Sequence, residues 1–457
     1  MYICSASLSG IEIRQVEYND KLNVSNPKII DNKNKNFLFS HDNQIVLLYT
    51  KTIFSSKEFP DKYITVARFD HVNAQLDVLY EFPVPNIMSI QFSPQSSYFC
   101  VISRRNHITD AEKIPLVKVV KTVSGEVVRS FNYDSRHIPT IFWSINETIF
   151  AYSYTDGILF FQTEADNSET RIPFEAPNLH SCSFSEGKKG IRFAVVYDRS
   201  PFKMKIFSFP QLEQIAYRPI ITGDTFNVTI SPNGFSAISI GYQIQDDTTF
   251  YGTSSLSYLN ENGQQKLSIK KEGPITHASY SPDGDKLIVI AGHVPPAVYV
   301  YHDKIGSCVP LGEFNFNSIR HSCSPDIAVF GGFGSFSGSI RTVNLSNKAF
   351  LSQGEAPFTS EWGWSPCGRL ILTAVMMPKM NVDNEFSIYD HMCQKLFSLR
   401  MTEQTQCQWI GNENPLPLPD IKKAQVVKEA PKAYVPPHLR KNGEDKKNYP
   451  PGFRPKK

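Results

Sequence analysis

Residues 280–292 read YSPDGDKLIVIAG, and the order of residue types in this stretch indicates the fold of the chain. Serine, proline, aspartate and glycine in this order suit a tight turn, because proline pre-sets the φ angle of the second position and glycine is favoured at the fourth. The run that follows is short and almost entirely apolar, which is typical of an inner strand covered on both faces. The stretch therefore predicts a turn that leads into a buried β-strand.

The same pattern of a small polar turn and a burst of β-branched and aromatic residues recurs along the chain. Two further copies are FSPQSSYFCVIS from Phe92 and WSPCGRLILTAV from Trp364. The spacing averages about 46 residues, which is the period of a four-stranded propeller blade. The residues that mark the copies are Ser40, Ser93, Ser144, Ser185, Ser231, Ser281, Ser324 and Ser365, with Gln408 in a degenerate ninth.

Regular spacing over most of the chain favours one closed ring over an array of β-sandwiches or several small β domains, because radial closure removes exposed sheet edges. We therefore predict an all-β chain, with a β-propeller of WD40-like blades over residues 1–413 and a disordered, basic, Pro-rich tail over 414–457. The count is nine blades, or eight if the weak first or last copy is discounted. We expect the N-terminal strand to complete the last blade.

Composition narrows the class and the location of the protein. The 457 residues are 41% hydrophobic and 20% charged, which supports a large core and excludes wholesale disorder. The eight cysteines are scattered without a CxxC pair, which favours buried, reduced thiols. The N-terminus lacks the pattern of a signal peptide, and no stretch approaches the length of a membrane-spanning helix. We predict a cytoplasmic protein without a membrane partner.

Motifs of catalysis and metal binding are absent from the sequence. It contains no P-loop, no HExxH and no GxSxG elbow. The glycine-rich stretch GGFGSFSG at 331–338 lacks the lysine and helix of a phosphate cradle and is interpreted as a tight turn. His277, His293, His302 and His321 fall on different predicted strands and loops, and the four tryptophans lie at or beside blade markers. We predict no enzyme activity, no cofactor and no metal.

The last part of the chain has a different composition. Nine prolines follow Asn414, and residues 421–457 carry 11 basic and three acidic side chains, so a tail of +8 follows a body of −5. Cations that alternate with aromatic rings suit single-stranded RNA, although a tail that only aids solubility is an alternative. The residues predicted to contact RNA or the ribosome are Lys432, Tyr434, Pro436, Pro437, His438, Leu439, Arg440, Lys441, Lys446, Lys447, Tyr449, Phe453 and Arg454.

Several stretches resemble the eukaryotic translation initiation factor 2A family. They are KEGPITHASYSPDGDKLIVIAGHVPPAVYVYHDK from Lys271, SCSPDIAVFGGFGSFSGSIRTVNLSNK from Ser322 and EWGWSPCGRLILTAVMMPKMNVDNEFSIYD from Glu361. The tail peptide AYVPPHLRKN resembles the tag that follows the propeller in that family. The likeness is specific over residues 271–442 and diffuse over residues 1–270.

The resemblance implies a nine-bladed propeller that binds the small (40S) ribosomal subunit and assists delivery of initiator methionyl-tRNA without GTP, on selected mRNAs. It implies initiator tRNA, mRNA and other initiation factors as further partners of a monomeric protein. Members of the family continue past the tag into a long, charged, helical extension, whereas this sequence ends at Lys457. We therefore expect a short member of the family without that extension, in which the propeller binds the ribosome.

The sequence also supports other interpretations. The chain also resembles the propeller-bearing scaffold subunit of initiation factor 3, but the 38 residues before Phe39 are too few for the RNA-recognition domain of that subunit. A general protein-interaction scaffold is a second alternative, and a hydrolase with its site in the central channel is a third. Tyr434 and Leu439 also resemble the start of a peptide that docks on the cap-binding initiation factor, but Arg440 stands where an apolar residue is expected.

Overall fold

A computed structural model describes residues 1–411 except 20, 51–62, 85, 104–115, 134–137, 165–171, 244–252, 264–266, 268, 304–305 and 381–382. All of them fall in the first of the two units, Met1–Ala424 and Gln425–Lys457, into which the chain divides. Every regular element of this part of the chain is a β-strand, and 37 strands form nine sheets. The prediction of nine blades is confirmed, while the boundary at residue 413 stays a prediction.

The first four strands belong to the blade that closes the ring, which we call blade 9. They are β1 (Tyr2–Ser7), β2 (Gly10–Tyr18), β3 (Leu22–Val24) and β4 (Lys28–Asp31). Both β3 and β4 pair with β2, so they share the outer edge of this blade.

Blades 1 to 4 each contain four antiparallel strands in chain order, with the first strand beside the central channel. Blade 1 comprises β5 (Asn36–Phe39), β6 (Ile45–Tyr49), β7 (Tyr63–Asp70) and β8 (Gln75–Pro83). Blade 2 comprises β9 (Ile87–Phe92), β10 (Tyr98–Ser103), β11 (Val117–Lys121) and β12 (Val127–Phe131). Blade 3 comprises β13 (Ile141–Trp143), β14 (Ile149–Tyr154), β15 (Gly157–Gln162) and β16 (Ile172–Glu175). Blade 4 comprises β17 (Ser181–Gly187), β18 (Gly190–Tyr197), β19 (Phe202–Phe209) and β20 (Gln214–Ile220).

Blades 5 to 8 follow the same order, with variation at their outer edges. Blade 5 has three strands among the described residues, β21 (Thr225–Ile230), β22 (Ser236–Gln243) and β23 (Thr253–Asn260). Blade 6 comprises β24 (Ile275–Tyr280), β25 (Lys286–Ala291), β26 (Ala297–His302) and β27 (Ser307–Glu313). Blade 7 comprises β28 (Ser318–His321), β29 (Ile327–Gly331), β30 (Ser339–Asn344), β31 (Ala349–Phe350) and β32 (Gly354–Glu355). Blade 8 comprises β33 (Glu361–Trp364), β34 (Leu370–Val375), β35 (Glu385–Asp390) and β36 (Lys395–Arg400).

Strand β37 (Gln404–Ile410) closes the ring from the C-terminal side. It is the inner strand of blade 9 and pairs antiparallel with β1, so that Ile3 lies opposite Trp409. The side chain of Gln406 then reaches blade 1, where its Oε1 accepts from the Phe37 N–H at 3.2 Å and its Nε2 donates to the Phe37 carbonyl at 2.9 Å. The prediction that the N-terminal strand completes the last blade is therefore confirmed.

The repeated serine fixes the turn between the first two strands of a blade. In blade 6, the Ser281 N–H donates to the Lys286 carbonyl at 2.8 Å, and the Ser281 Oγ accepts from the Lys286 N–H at 3.0 Å. The serine thus supplies a second hydrogen bond across the turn, beyond the backbone pair, which stabilises the turn without a longer loop. The same two bonds occur at Ser40, Ser93, Ser144, Ser231 and Ser365.

Three of the nine predicted markers do not hold this position. Ser185 lies inside β17, and its Oγ donates to the Pro232 carbonyl at 2.7 Å. In blade 7 the turn serine is Ser322, whose N–H donates to the Ile327 carbonyl at 2.9 Å, so the marker Ser324 was placed two residues too late. Gln408 lies inside β37, opposite Cys4. The predicted count of nine blades is nevertheless correct, because the apolar runs, and not the serines alone, identify the blades.

The core lies between the blades as a series of buried clusters. Phe160 of blade 3 and Phe193 of blade 4 meet with ring centroids 5.4 Å apart, and both are almost completely buried. The glycine-rich stretch at 331–338 links β29 to β30, as the turn interpretation predicts. A Cβ on Gly332 would lie 1.9 Å from the Asn315 carbonyl oxygen, so only glycine fits at this position.

Candidate interaction surfaces

The candidate residues of the tail, from Lys432 to Arg454, all lie outside the described residues, as do the prolines after Asn414. Their predicted role stays a prediction. The last described residue, Gly411, follows β37, and a Cβ there would lie 3.3 Å from the Cβ of Met1. Both ends of the described chain therefore lie on the face of the ring that carries the serine turns, which we call the turn face. The opposite end is the loop face.

Carboxylates at the turn face are largely occupied by contacts within the propeller. Asp326 accepts from the Lys286 Nζ at 2.8 Å, and hydrogen bonds from Lys286 and Ser346 lower its pKa. Burial opposes ionisation of Glu261, but hydrogen bonds from Lys189 and Arg192 at 2.7 and 2.8 Å outweigh it and hold the pKa below its ordinary value. These acidic groups join turns of neighbouring blades, so they have a structural role.

Side chains bridge the inner strands of neighbouring blades along the channel wall. Between blades 4 and 5, the Oγ of Ser181 accepts from the Val228 N–H at 3.0 Å. Between blades 7 and 8, the Trp362 Nε1 donates to the Ser318 Oγ at 3.2 Å and the Trp364 Nε1 donates to the Arg320 carbonyl at 3.1 Å. The bonds to the Val228 N–H and the Arg320 carbonyl satisfy backbone groups at the free inner edges of the strands. The predicted core role holds for the buried Trp362, whereas Trp364 is half-buried.

Two of the histidines considered in the sequence lie close together on the channel wall. His277 is on β24 and His321 on the adjacent β28. Burial lowers the pKa of both, and that of His321 falls to about 4 with a further contribution from His277. Among the described residues, no group of three or more His, Cys, Asp or Glu side chains is arranged to hold a metal ion. The lowered pKa values keep both imidazoles neutral at physiological pH.

A basic and aromatic surface on the outer half of blade 4 was not singled out from the sequence. We call it the blade-4 patch. Its centre is Lys205, whose Nζ lies 5.9 Å from the ring centre of Tyr197, 5.8 Å from that of Phe207 and 5.5 Å from that of Tyr217. Lys203 lies 5.8 Å from the Tyr197 ring and forms an ion pair with Asp198 at 2.6 Å.

The blade-4 patch could have been found from the alternation in FKMKIFSF at 202–209. Residues two apart in a strand share a face, so Lys203, Lys205 and Phe207 lie on one side of the sheet. Tyr217 is directly opposite Lys205 on β20 and is 41% exposed. Half-buried cations held over aromatic rings, beside the exposed ring of Tyr217, are a combination that suits the backbone and bases of RNA. The described part of the chain also holds no helix that could span a membrane.

Comparisons with known proteins agree with this architecture. Residues 237–407 match the profile of the family described as eukaryotic translation initiation factor eIF2A. The chain is 23% identical over 416 residues to "Eukaryotic translation initiation factor 2A" of Drosophila melanogaster, covering 83% of this chain and 64% of the relative. The protein of the same name from Schizosaccharomyces pombe is 21% identical, covering 79% of this chain and 66% of the relative. The chain thus spans about two thirds of the length of these relatives.

Two further likenesses come from a second factor and from a solved structure. One of the subunits of eukaryotic translation initiation factor 3 from Xenopus laevis is 23% identical over 389 residues, covering 82% of this chain and 53% of the relative. A structure titled "Crystal structure of the eukaryotic initiation factor" superposes with a TM-score of 0.73 at 19% identity, covering 91% of this chain and 99% of that one. That structure supports the propeller fold.

The architecture and the relatives together define a class of protein. The chain is a nine-bladed β-propeller related to translation initiation factors. Within that class, the relationship to the eukaryotic translation initiation factor 2A family, which the blade motifs and the tail peptide predict, is confirmed.

Proposed function

We propose that this protein is a non-enzymatic, cytoplasmic translation initiation factor that binds the small ribosomal subunit and assists initiator methionyl-tRNA delivery without GTP on selected mRNAs. The observation that carries the proposal is the set of relatives named initiation factor 2A, from insect, slime mould and yeast, which match 78–83% of this chain. The mechanism is positioning: a rigid ring presents charged and aromatic surfaces to the ribosome, and no bond is made or broken by the protein.

The blade-4 patch is the surface of the propeller that we assign to ribosomal RNA. Lys205 and Lys203 place two cations on one face of β19, and Tyr217 offers an exposed ring beside them. Cations contribute a salt-dependent attraction to phosphates, and each stacked base adds about 1–3 kcal/mol. The basic tail with Tyr434, Arg440 and Phe453 supplies a second RNA contact in this proposal.

The experiment is co-sedimentation of the full chain with purified small and large ribosomal subunits. We expect the protein to pellet with small subunits, and the Lys203→Gln/Lys205→Gln variant to need a several-fold higher subunit concentration. The matched control is Lys395→Gln in blade 8, because Lys395 also lies over a tyrosine ring at 5.8 Å and pairs with a glutamate at 3.1 Å. Absence of small-subunit binding by the full chain would overturn the proposal.

A second candidate function is a scaffold within the translation apparatus, and the match to a subunit of initiation factor 3 favours it. Val294 and Phe358, which are 71% and 67% exposed, provide apolar contact points on the loop face for such a role. Mixing the full chain with purified initiation factor 3 in the absence of ribosomes separates the two functions. A stable complex there, without small-subunit binding, supports the scaffold instead.

A further inference from the structure

At two seams, neighbouring blades meet beside the channel through the residue two positions before the turn serine. Between blades 3 and 4 this residue is Phe142, which stacks on Phe184 with ring centroids 4.6 Å apart. Between blades 7 and 8 it is Arg320, whose guanidinium carbon lies 5.8 Å from the ring centre of Trp362. In blade 8 the same position is Gly363, two residues before Ser365. The seam between blades 8 and 9 therefore lacks the side chain that fills these other seams.

A cavity of about 570 Å³ borders Gly363, and its lining extends past blade 9 to Asn36 and Tyr49 of blade 1. A Cβ built on Gly363 would meet no atom within 4 Å, and the backbone there is not in the left-handed region. The cavity is lined on the blade-8 side by Leu372 and Met376 and on the blade-9 side by Cys407 and Trp409. Gly363 is thus distinguished by the empty space beside its Cα and not by an unusual backbone conformation.

The carboxylate of Glu361 and the side chain of Trp409 border the cavity. Trp362 and Trp364 pack towards blade 7, so the alternation of β33 directs Glu361 and Gly363 towards blade 9. Glu361 is exposed and makes no ion pair within the part of the chain that the structure describes. The Nε1 of Trp409 is buried and has no hydrogen-bond acceptor among the described residues. The Glu361 carboxylate is therefore accessible to a ligand, whereas the Trp409 N–H has no accessible surface.

The chemistry of the lining selects the kind of ligand. It combines one carboxylate, aromatic and aliphatic surface, and no lysine or arginine among the described residues. A carboxylate without a cation disfavours phosphate groups, whereas a planar cation on an apolar stem matches all three features. Arg320 already fills the preceding seam in this way, with its guanidinium over Trp362 and its Nε donating to the Trp362 carbonyl at 3.4 Å.

We propose that the cavity between blades 8 and 9 binds an arginine side chain of a partner protein. The stem of the arginine lies against Leu372 and Met376, and its guanidinium pairs with Glu361 and covers the indole of Trp409. The inference concerns a protein partner and does not depend on ribosome binding.

The test uses the full chain and three probes: the blocked peptide acetyl-Gly-Arg-Gly-amide, its lysine counterpart and a uridine decanucleotide. Binding is measured by isothermal titration calorimetry. We expect the arginine peptide to bind and the lysine peptide to bind at least several-fold more weakly, because lysine lacks the planar fork. Glu361→Gln should weaken the arginine peptide about tenfold, since a charge-assisted hydrogen bond is lost.

Gly363→Leu is the blocking variant, because its side chain occupies the cavity and meets no atom at Cβ. We expect it to abolish peptide binding. Its matched control is Thr229→Leu, which places the same side chain at the equivalent exposed position of blade 5 and should leave binding unchanged. If Gly363→Leu does not fold, Glu361→Gln and the comparison of arginine with lysine decide the question.

Three results would overturn the proposal. The first is no binding of the arginine peptide to the parent protein, and the second is equal binding to the parent and to folded Gly363→Leu. The third is binding of the uridine decanucleotide that Gly363→Leu abolishes, which would assign the cavity to RNA.

Discussion

At the scale of single residues, Asp303 joins blades 5 and 6 through a buried polar network. Its carboxylate accepts from the Tyr258 hydroxyl at 2.6 Å and from the Ser236 Oγ, and Ser236 also contacts the Tyr280 hydroxyl at 2.9 Å. Asp303 is 1% exposed. Burial and the nearby carboxylate raise the pKa of Tyr258, so the hydroxyl stays a donor.

Asp303→Ala should lower the free energy of unfolding by about 3 kcal/mol, because buried donors to a charged acceptor are left without a partner. Urea denaturation followed by circular dichroism measures the change. Asp77→Ala on the exposed outer strand of blade 1 is the control and should stay within about 0.5 kcal/mol of the parent. A loss at Asp303 no larger than at Asp77 would show that the network contributes nothing to stability.

His321 predicts a pH dependence of stability. Burial lowers its pKa from 6.5 to about 4 in the folded protein, so the unfolded chain binds more protons between these values. Its contribution to stability is therefore complete above the unfolded pKa and is lost as the pH falls through the folded one. His321→Gln should lose less unfolding free energy than the parent between about pH 7 and about pH 4.5, in urea titrations. The exposed His293→Gln should keep the parental slope, and identical slopes for all three proteins would contradict the prediction.

At the scale of elements, the ring depends on the pairing of β1 with β37. Ile3 of β1 is fully buried in the cluster between blades 8 and 9. Ile3→Ala should lower the free energy of unfolding by about 2–5 kcal/mol, through lost burial and the cavity that remains. Leu8→Ala, at the exposed turn after β1, is the control, because Leu8 is 44% exposed. Equal losses of unfolding free energy in the two variants, measured by urea denaturation, would mean that the burial of Ile3 in β1 does not stabilise the closed ring.

The elements that were predictable from the sequence are those whose signal is local. The turn serine and the apolar run after it identify the second strand of a blade, because both act within a short stretch of chain. The marker at Ser324 failed because two serines flank Cys323, and only the backbone bond from Ser322 to Ile327 distinguishes them. Outer strands such as β31 and β32 are short and have little pattern to detect.

The candidate surfaces were less predictable for a physical reason. The blade-4 patch depends on the register that places Tyr217 opposite Lys205. The cavity at Gly363 depends on residues from blades 8, 9 and 1, which are brought together only when the ring closes. The basic tail, in contrast, is predictable from composition, because its proline and lysine content can be recognised without any tertiary contact.

At the scale of the whole molecule, a body with a charge of −5 precedes a tail of +8. An acidic ring gains little from long-range attraction to RNA, so its docking through the two lysines of the blade-4 patch should depend less on salt than binding by the tail. A basic segment that replaces counterions on phosphates makes binding steeply salt-dependent. The contributions of the ring and the tail to binding can therefore be distinguished by the slope of log affinity against log salt.

The most direct test is the salt dependence of binding to purified small ribosomal subunits, for the full chain and for Arg440→Gln/Lys441→Gln/Lys446→Gln/Lys447→Gln. We predict that both proteins bind and that the variant is weaker at low salt, with a slope of log affinity against log salt that is shallower by about three. Identical affinities and slopes for the two proteins would contradict the role of the tail, and failure of both to bind would contradict the assignment as an initiation factor.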